Sequence, residues 1–293
     1  MEPTRSSIAT GGGRVVEVLD SGPSETGTVL FHTGTPGGLV PYQIGFEAAA
    51  RRGVRLIQYG RPGYGDSTRQ PGRSVADCIP DVVAIADALD VERMFVVGWS
   101  GGGPHALACA ALLPERVISC ATIASVAPVD AEGLDWLAGM GPENIEEFGL
   151  TREGPAVLRP HLERQAAAFG AVTGPEVADA LGGLIDDVDR GALTGEFAEY
   201  MAASLREALR TGIWGWFDDD FAFDRDWGFD LKAIAIPVTI WQGAHDRMVP
   251  FDHGRWLARH VAGARAELRP AEGHISLVVT RFGDILDGLL ASV

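Results

Sequence analysis

Short apolar runs alternate with amphipathic segments through the first part of the chain. Residues 75–90 and 101–115 have apolar positions at helical spacing, whereas the runs around them are short and rich in Val, Ile, Leu and Phe. These runs, which predict strands covered on both faces, lie at 28–33, 54–59, 93–99 and 117–125. The alternation predicts right-handed β-α-β units and a mostly parallel sheet flanked by helices.

Further strands are predicted towards the two ends of the chain. Residues 14–20 have a strand pattern, and a short strand before the glycines at 11–13 would pair with it as a hairpin. Two more strand patterns lie late in the chain, at 237–242 and 264–270. The sequence therefore predicts an α/β fold with an eight-stranded sheet.

The segment from 128 to 230 differs from the rest of the chain in pattern and in charge. It contains amphipathic helical segments and no convincing strand, which predicts a helical cap inserted after the sixth strand. Residues 1–127 and 231–293 would then form the core domain. The cap segment holds 22 of the 40 acidic residues but only seven of the 24 basic residues, so most of the net charge of −16 lies there. An acidic cap would favour cationic or neutral substrates over anionic ones.

Composition and charge argue against several classes of protein. A net charge of −16 disfavours binding to nucleic acid or to an anionic membrane surface. The first residues lack the pattern of a secretory signal, and no apolar run approaches the roughly 20 residues that cross a bilayer. The three cysteines, Cys78, Cys109 and Cys120, fall in predicted helices or strands and are expected to be reduced. We therefore expect a cytoplasmic protein that acts on a small molecule, with its oligomeric state left open.

A serine lies between the strand at 93–99 and the helix that follows it. The sequence GWSGG at 98–102 matches the pattern G-x-S-x-G at a strand–turn–helix junction, the nucleophile elbow. A nucleophile on such a sharp turn needs neighbours with almost no side chain, which glycine supplies. The N-terminus of the helix would stabilise negative charge that develops beside the hydroxyl. Ser100 is therefore the predicted nucleophile.

A serine nucleophile needs a general base, and the base needs a carboxylate that orients it. Asp246 follows the strand at 237–242, and His274 follows the strand at 264–270. Because parallel strands end at the same edge of a sheet, both side chains are expected close to Ser100. We predict a catalytic triad of Ser100, His274 and Asp246.

Other assignments compete with these. Asp130, after the strand at 117–125, is an alternative acid from a different strand. Residues 101–106 fit G-x-G-x-x-G/A, but the next strand does not end in the acidic residue that a dinucleotide site requires. No histidine pair has the spacing of a metal site, so neither a cofactor nor a metal is expected. His105 is expected to support the serine turn, and His32 is expected to be structural.

An oxyanion intermediate needs backbone N–H donors beside the nucleophile. One donor is expected at Gly101, directly after the serine. The other is expected in the sequence HTGTPGG, which follows the strand at 28–33 and has a tight, glycine-rich backbone. Thr35 is the predicted donor in this loop.

These motifs resemble those of the α/β-hydrolase superfamily over essentially the whole chain. HTGTPGG is similar to the family's H-G-x-P-G oxyanion loop, with Thr33 in place of the usual glycine and one residue more. YGRPGYGDS at 59–67 is similar to its D-x-R-G-x-G-x-S turn, with Tyr59 and Pro62 as departures. The order Ser, Asp, His along the chain is also that of the family. The resemblance is to the capped branch, which holds esterases, lactonases, C–C bond hydrolases, proline iminopeptidases and cofactor-independent haloperoxidases, and it implies an eight-stranded α/β-hydrolase sheet.

Seven aromatic residues cluster near the end of the cap segment, at 212–229. They either dock the end of the cap onto the core or line an apolar pocket between cap and core. The candidates for the pocket are Trp99, Trp214, Trp216, Phe217 and Phe221. The carboxylates within the cluster, which are expected to be solvated, are Asp218, Asp219 and Asp220.

The sequence thus predicts a serine hydrolase that cleaves a small, partly apolar ester, thioester or lactone through an acyl-enzyme. The same triad supports other reactions, namely C–C bond hydrolysis, amino-terminal peptide cleavage and perhydrolysis. A receptor that keeps the triad and only binds its ligand is the alternative from a different class. The sequence does not identify the substrate, because the geometry of the cap determines it.

Overall fold

The fold is built around an eight-stranded sheet, seen in a computed structural model that describes residues 2–292. The strands are β1 (Thr4–Ala9), β2 (Val15–Asp20), β3 (Thr28–His32), β4 (Arg55–Tyr59), β5 (Met94–Trp99), β6 (Val117–Ile123), β7 (Val238–Gly243) and β8 (Arg265–Arg269). Their order across the sheet is β1-β2-β4-β3-β5-β6-β7-β8. The pairs β1–β2 and β2–β4 are antiparallel and the others are parallel. The predicted mostly parallel α/β sheet is confirmed.

Helices cover both faces of the sheet and fill the long segment between β6 and β7. They are α1 (Gln43–Arg51), α2 (Ile79–Ala88), α3 (Gly102–Leu112), α4 (Pro142–Glu153), α5 (Pro155–Phe169), α6 (Gly174–Ala180), α7 (Asp187–Ala192), α8 (Gly195–Leu209), α9 (Trp214–Phe223), α10 (Phe251–His260) and α11 (His274–Leu290). None of the helices within residues 2–292 combines the length and the hydropathy that crossing a membrane requires.

The apolar strands are buried because both of their faces are covered. Every residue of β3, β4 and β5 is buried. Alternate residues of β3 point to opposite faces: Val29 and Phe31 belong to an apolar cluster with α1 and α11, whereas Leu30 belongs to one with α2 and α3. Burial of each such side chain stabilises the fold by roughly 1.5–3 kcal/mol.

The strand order opens a crevice beside β3. The chain moves from β3 to β4 in one direction across the sheet and from β5 onward in the other, so the loops after β3 and β5 diverge. Ligand sites of open α/β sheets lie at such a point. His32 at the end of β3 is in register with Gly98 of β5, so the loop at 33–38 and the turn at Ser100 start side by side.

The six helices α4–α9 all lie within the segment predicted to be a cap. Leu158, Leu162 and Leu205 of these helices share one buried apolar cluster with Phe31 and Tyr42. Apolar burial therefore holds this helical layer against the rest of the molecule. The division of the chain into a core at 1–127 and 231–293 and a cap at 128–230 stays a prediction.

Candidate active site

Ser100 lies on a strained turn between β5 and α3. Its φ of 55° is in the left-handed region, which is unfavourable for a residue with a side chain. A Cβ on Gly98 would collide with the carbonyl of Gly102, and one on Gly102 would collide with the carbonyl of His32. The N–H of Ser100 donates to the carbonyl of Ile123 at 2.8 Å, which fixes the turn on β6. The two glycines therefore allow the strand, the helix and the loop at 33–38, the predicted oxyanion loop, to meet at this serine.

His274 and Asp246 form a hydrogen-bonded pair. The imidazole Nδ1 lies 2.8 Å from Oδ2 of Asp246. The other oxygen of Asp246 accepts hydrogen bonds from the N–H groups of Met248 and Val249, at 2.9 and 2.7 Å, and the amide of Gln242 donates to Oδ2 at 2.9 Å. Burial disfavours the imidazolium, but the Asp246 carboxylate outweighs burial and raises the pKa of His274 above its ordinary value.

The alternative acid lies elsewhere. Asp130 is exposed and lines a separate cavity. His245, the neighbour of Asp246, points away and contacts the carboxylate of Asp186 at 2.8 Å. The geometry therefore favours Asp246 as the partner of His274.

The loop after β3 faces the serine and offers unused donors. A Cβ on Gly34 would lie 3.3 Å from the Cβ of Ser100, and a Cβ on Gly101 would collide with the side chain of Thr35. Within residues 2–292, the backbone N–H groups of Gly34, Thr35 and Gly101 have no hydrogen-bond acceptor. Thr35 and Gly101 were predicted from the sequence as donors, and Gly34 was not.

These groups open into one cavity of about 140 Å³ between the helical layer and the sheet edge. Ser100, His274, Thr35 and Gly101 all lie in its wall. Most of the remaining wall is apolar and includes Trp99, Phe148, Phe169, Leu181, Leu205 and Trp216. A mostly apolar wall with a few convergent polar groups is typical of a small-molecule site.

The predicted pocket aromatics divide between two faces of α9. Trp216 lines the cavity with Trp99 of the serine turn, whereas Trp214, Phe217 and Phe221 lie outside its wall. The ring centroids of Trp214 and Phe217 are 5.7 Å apart, and those of Phe217 and Phe221 are 5.0 Å apart. The spacing i, i+3, i+7 of these three residues places them on one face of the helix, away from the cavity.

Two histidines near the serine turn have structural surroundings. The ring Nδ1 of His105 lies 2.9 Å from the carbonyl of Gly101 and so supports the turn. His32 is buried, with its Nδ1 3.2 Å from the hydroxyl of Tyr59. Burial lowers the pKa of His105 to about 3 and lowers the pKa of His32 well below its ordinary value. Both rings are therefore neutral at physiological pH.

A family model described as alpha/beta hydrolase fold matches residues 27–279. The match covers well over half of the chain and contains six of the eight strands, β3–β8, which are mutually parallel. The antiparallel hairpin β1–β2 lies before it. The chain belongs to the α/β-hydrolase fold family.

Similar proteins include named hydrolases. An uncharacterized hydrolase of Bacillus subtilis (strain 168), YcgS, is 24% identical over 267 residues, which cover 85% of this chain and 87% of that protein. A pimeloyl-(acyl-carrier protein) methyl ester esterase of Chromobacterium violaceum is 29% identical over 259 residues, which cover 88% of this chain and 90% of that protein. The solved structure of an esterase from Exiguobacterium antarcticum has a TM-score of 0.70 at 16% identity, covering 99% of this chain and 100% of that one, and shows the fold alone.

A buried arginine links the predicted oxyanion loop of this α/β hydrolase to α9. Arg61 belongs to the YGRPGYGDS turn and is 1% exposed. Its guanidinium donates to the carbonyls of Thr33 and Gly34, at 2.5 and 2.9 Å, and contacts Asp219 at 2.6 Å. The two motifs that depart from the family pattern therefore meet at one ion pair.

The expectation that the acidic run of α9 is solvated is wrong. Asp218, Asp219 and Asp220 are each 3% exposed or less. Asp218 pairs with Arg69 at 2.7 Å, and Asp219 pairs with Arg61 and Arg73. Local sequence gave no sign of this burial, because the arginines come from a segment about 150 residues earlier.

Asp219 also holds the oxyanion loop directly. Its Oδ2 accepts hydrogen bonds from the hydroxyls of Thr35 and Tyr64, at 2.7 and 2.8 Å. Burial favours the neutral acid, but Arg61 and Arg73 outweigh burial and hold the pKa of Asp219 well below its ordinary range. The carboxylate is therefore ionised and fixes the side chain of the predicted donor residue.

A second carboxylate from the helical layer holds the predicted base. Asp189 of α7 is completely buried and accepts the first N–H groups of α11. The N–H of His274 donates to its Oδ2 at 2.8 Å, and those of Ile275 and Ser276 donate to its Oδ1 at 2.9 and 2.8 Å. A carboxylate at a helix N-terminus is stabilising. Sequence analysis missed this residue, because it lies 85 positions before the histidine.

Proposed function

We propose that the protein is a serine hydrolase that cleaves a small, partly apolar carboxylic ester, thioester or lactone through an acyl-enzyme. The observation that supports this most strongly is the hydrogen bond between His274 and Asp246, in a site whose cavity also contains the strained Ser100. Similarity to a methyl ester esterase supports the ester as substrate class.

In the proposed reaction, the Ser100 hydroxyl attacks the carbonyl carbon while Nε2 of His274 takes its proton. Asp246 accepts the Nδ1–H of the imidazole and stabilises the imidazolium. The N–H groups of Thr35 and Gly101 donate to the oxyanion. His274 then returns the proton to the departing oxygen or sulfur as its bond to the carbonyl carbon breaks. A water molecule then attacks the acyl carbonyl while His274 takes its proton, the bond to Oγ of Ser100 breaks, and His274 returns the proton to that oxygen as the acid leaves.

A fluorophosphonate probe and a series of p-nitrophenyl esters of increasing acyl length test the proposal. We expect the probe to label Ser100 and the esters to turn over. A receptor that only binds its ligand would give scarcely any turnover, and this result would contradict the proposal.

The pH dependence of kcat/KM tests the role of His274. The base must be neutral, so we expect the rate to rise with pH through a midpoint above the ordinary imidazole value of about 6.5. The sign follows from Asp246, which raises the pKa of His274. In Asp246→Asn the midpoint should move to lower pH. A flat profile, with chemistry shown to be rate-limiting, would exclude His274 as the base.

Replacing Asp189 tests whether the helical layer positions the base. In Asp189→Ala we expect a loss of about 1 kcal/mol of stability, as for a lost helix cap, and a fall in kcat on the order of 10- to 100-fold because His274 shifts. Thr173→Ala is the matched control, since Thr173 caps the exposed start of α6. It should cost similar stability in urea unfolding and leave kcat unchanged. Equal kcat in both variants would contradict the positioning role.

A further inference from the structure

Part of the cavity wall is acidic and is not used by the proposed triad chemistry. Glu147 of α4 and Asp220 of α9 line the cavity that contains Ser100, together with Glu143. Within residues 2–292, no Lys or Arg side chain lines this cavity. The cavity wall therefore offers these carboxylates no Lys or Arg partner, although Arg73, which lies outside the wall, acts on the charge of Asp220.

Among the described residues, no N–H or hydroxyl group donates to Asp220, whose carboxyl group contacts only that of Glu147 in this way. Asp220 is 1% exposed, so water does not supply the missing donors. Oε2 of Glu143 is buried without a partner as well, whereas Glu147 accepts a hydrogen bond from Nε1 of Trp216 at 2.8 Å. Buried acceptors without donors cost free energy, which a ligand with several N–H groups would recover.

Glu147 and Asp220 lie side by side in the cavity wall, and their carboxyl groups are within hydrogen-bond reach, close enough to share a proton. Burial, followed by the charges of Glu147 and Asp219, raises the pKa of Asp220 well above its ordinary value. Burial also raises the pKa of Glu147. Neighbouring buried carboxyl groups do not both ionise without a counter-ion, so a bound cation would stabilise the ionised pair.

We propose that Glu147 and Asp220 form a subsite for a protonated primary amine, so that the preferred substrate is an ester, thioester or lactone with an ammonium group on its chain. The substrate preference in this inference rests on the proposed function, whereas the binding of an ammonium does not. The N–H groups of an ammonium would donate to the two oxygens of Asp220, and its positive charge would balance the ionised pair. The rings of Trp216 and Phe169, with centroids 6.0 Å apart, offer apolar contact to the alkyl chain.

Binding to the full-length Ser100→Ala variant tests the subsite without turnover. The probes are n-butylammonium chloride and 1-butanol, which differ in the charged group, at an ionic strength of about 0.15 M. Tryptophan fluorescence reports binding, since Trp99 and Trp216 line the cavity. We expect the ammonium to bind on the order of tenfold more tightly than the alcohol, as charge-assisted hydrogen bonds require.

Substitutions of Glu147 and Asp220 in the Ser100→Ala variant test whether these two residues cause the ammonium preference. We expect Glu147→Gln and Asp220→Asn each to bring the preference to within about twofold, the size of a few tenths of a kcal/mol. Glu146→Gln is the matched control, because its side chain is 62% exposed beside Glu147, and it should keep the full preference. Thermal melting identifies any variant that does not fold. If Asp220→Asn does not fold, the binding preference of Glu147→Gln tests the subsite by itself. Equal binding of the two probes, or a preference that survives in the folded variants, would overturn the subsite.

Turnover by the wild-type protein separates this inference from the proposed function. The substrates are p-nitrophenyl 6-aminohexanoate and p-nitrophenyl heptanoate, which have similar size and differ in the terminal ammonium. Faster cleavage of the amino ester supports both proposals. If neither ester is cleaved but n-butylammonium still binds more tightly than 1-butanol, the result contradicts the hydrolase proposal and supports the subsite. If both esters are cleaved equally and the two probes bind equally, the result contradicts the subsite and supports the hydrolase proposal.

Discussion

Ser100→Ala and His274→Ala are each expected to reduce kcat by about 10⁶-fold, and the double variant is expected to lose little more. The effects do not add because the hydroxyl and the base act in the same step. Asp246→Asn should cost about 10⁴-fold, because an amide at this position favours the wrong imidazole tautomer. Steady-state kinetics on the p-nitrophenyl esters measure all four variants.

Asp130→Asn is the control for the acid. Asp130 is exposed and apart from His274, so kcat and thermal stability should stay at the wild-type level. Full activity in Asp246→Asn together with loss in Asp130→Asn would transfer the role of the acid to Asp130.

Asp219→Asn is expected to have the largest effect on stability. The substitution leaves Arg61 and Arg73 buried without a counter-charge, and loss of one partner of a buried ion pair costs about 3–5 kcal/mol. The hydrogen bond from Thr35 to this carboxylate is weakened as well, so the oxyanion loop should shift and kcat should fall. Urea unfolding measures the first effect, and ester turnover measures the second.

Asp218→Asn is the matched control on the same helix. Its partner Arg69 has a side chain that is 30% exposed, so water replaces part of the lost interaction, and the cost should be about 1 kcal/mol or less. Kcat should not change, since Asp218 does not contact the oxyanion loop. If Asp219→Asn proves as mild as Asp218→Asn in both measurements, the buried network does not position the loop.

The sheet and the three triad candidates could be predicted because their signals are local. Apolar runs mark the strands, and the glycines beside Ser100 mark the turn that holds it. Asp246 and His274 follow from one further step, since each comes directly after a predicted strand and parallel strands end at one edge. The structure places these two in contact.

The contributions of the helical layer could not be predicted in this way. Asp189 and Asp219 contact groups that are distant in the sequence, and only the folded chain brings them together. An acidic run such as 218–220 is usually solvated, and local sequence does not reveal the arginines that bury it. Helical periodicity shows which residues share a face of α9, but it does not show which face lines the cavity.

Asp189 and Asp219 both come from the helices between β6 and β7. Asp189 contacts the start of α11 at His274, and Asp219 contacts Thr35 in the loop at 33–38. The helical layer therefore does more than cover the cavity, because it also fixes the start of α11, which would supply the base, and the loop that would bind the oxyanion. Changes in its packing should alter kcat as well as substrate choice.

Intact-mass spectrometry of the protein mixed with p-nitrophenyl acetate tests the central claim most directly. Rapid acid quenching should trap a species heavier by one acetyl group, and peptide mapping should place that group on Ser100. Ser100→Ala should show no such species, and His274→Ala should acylate far more slowly. Turnover of the ester with no acylated protein at any quench time, or acylation at another residue that persists in Ser100→Ala, would contradict the account.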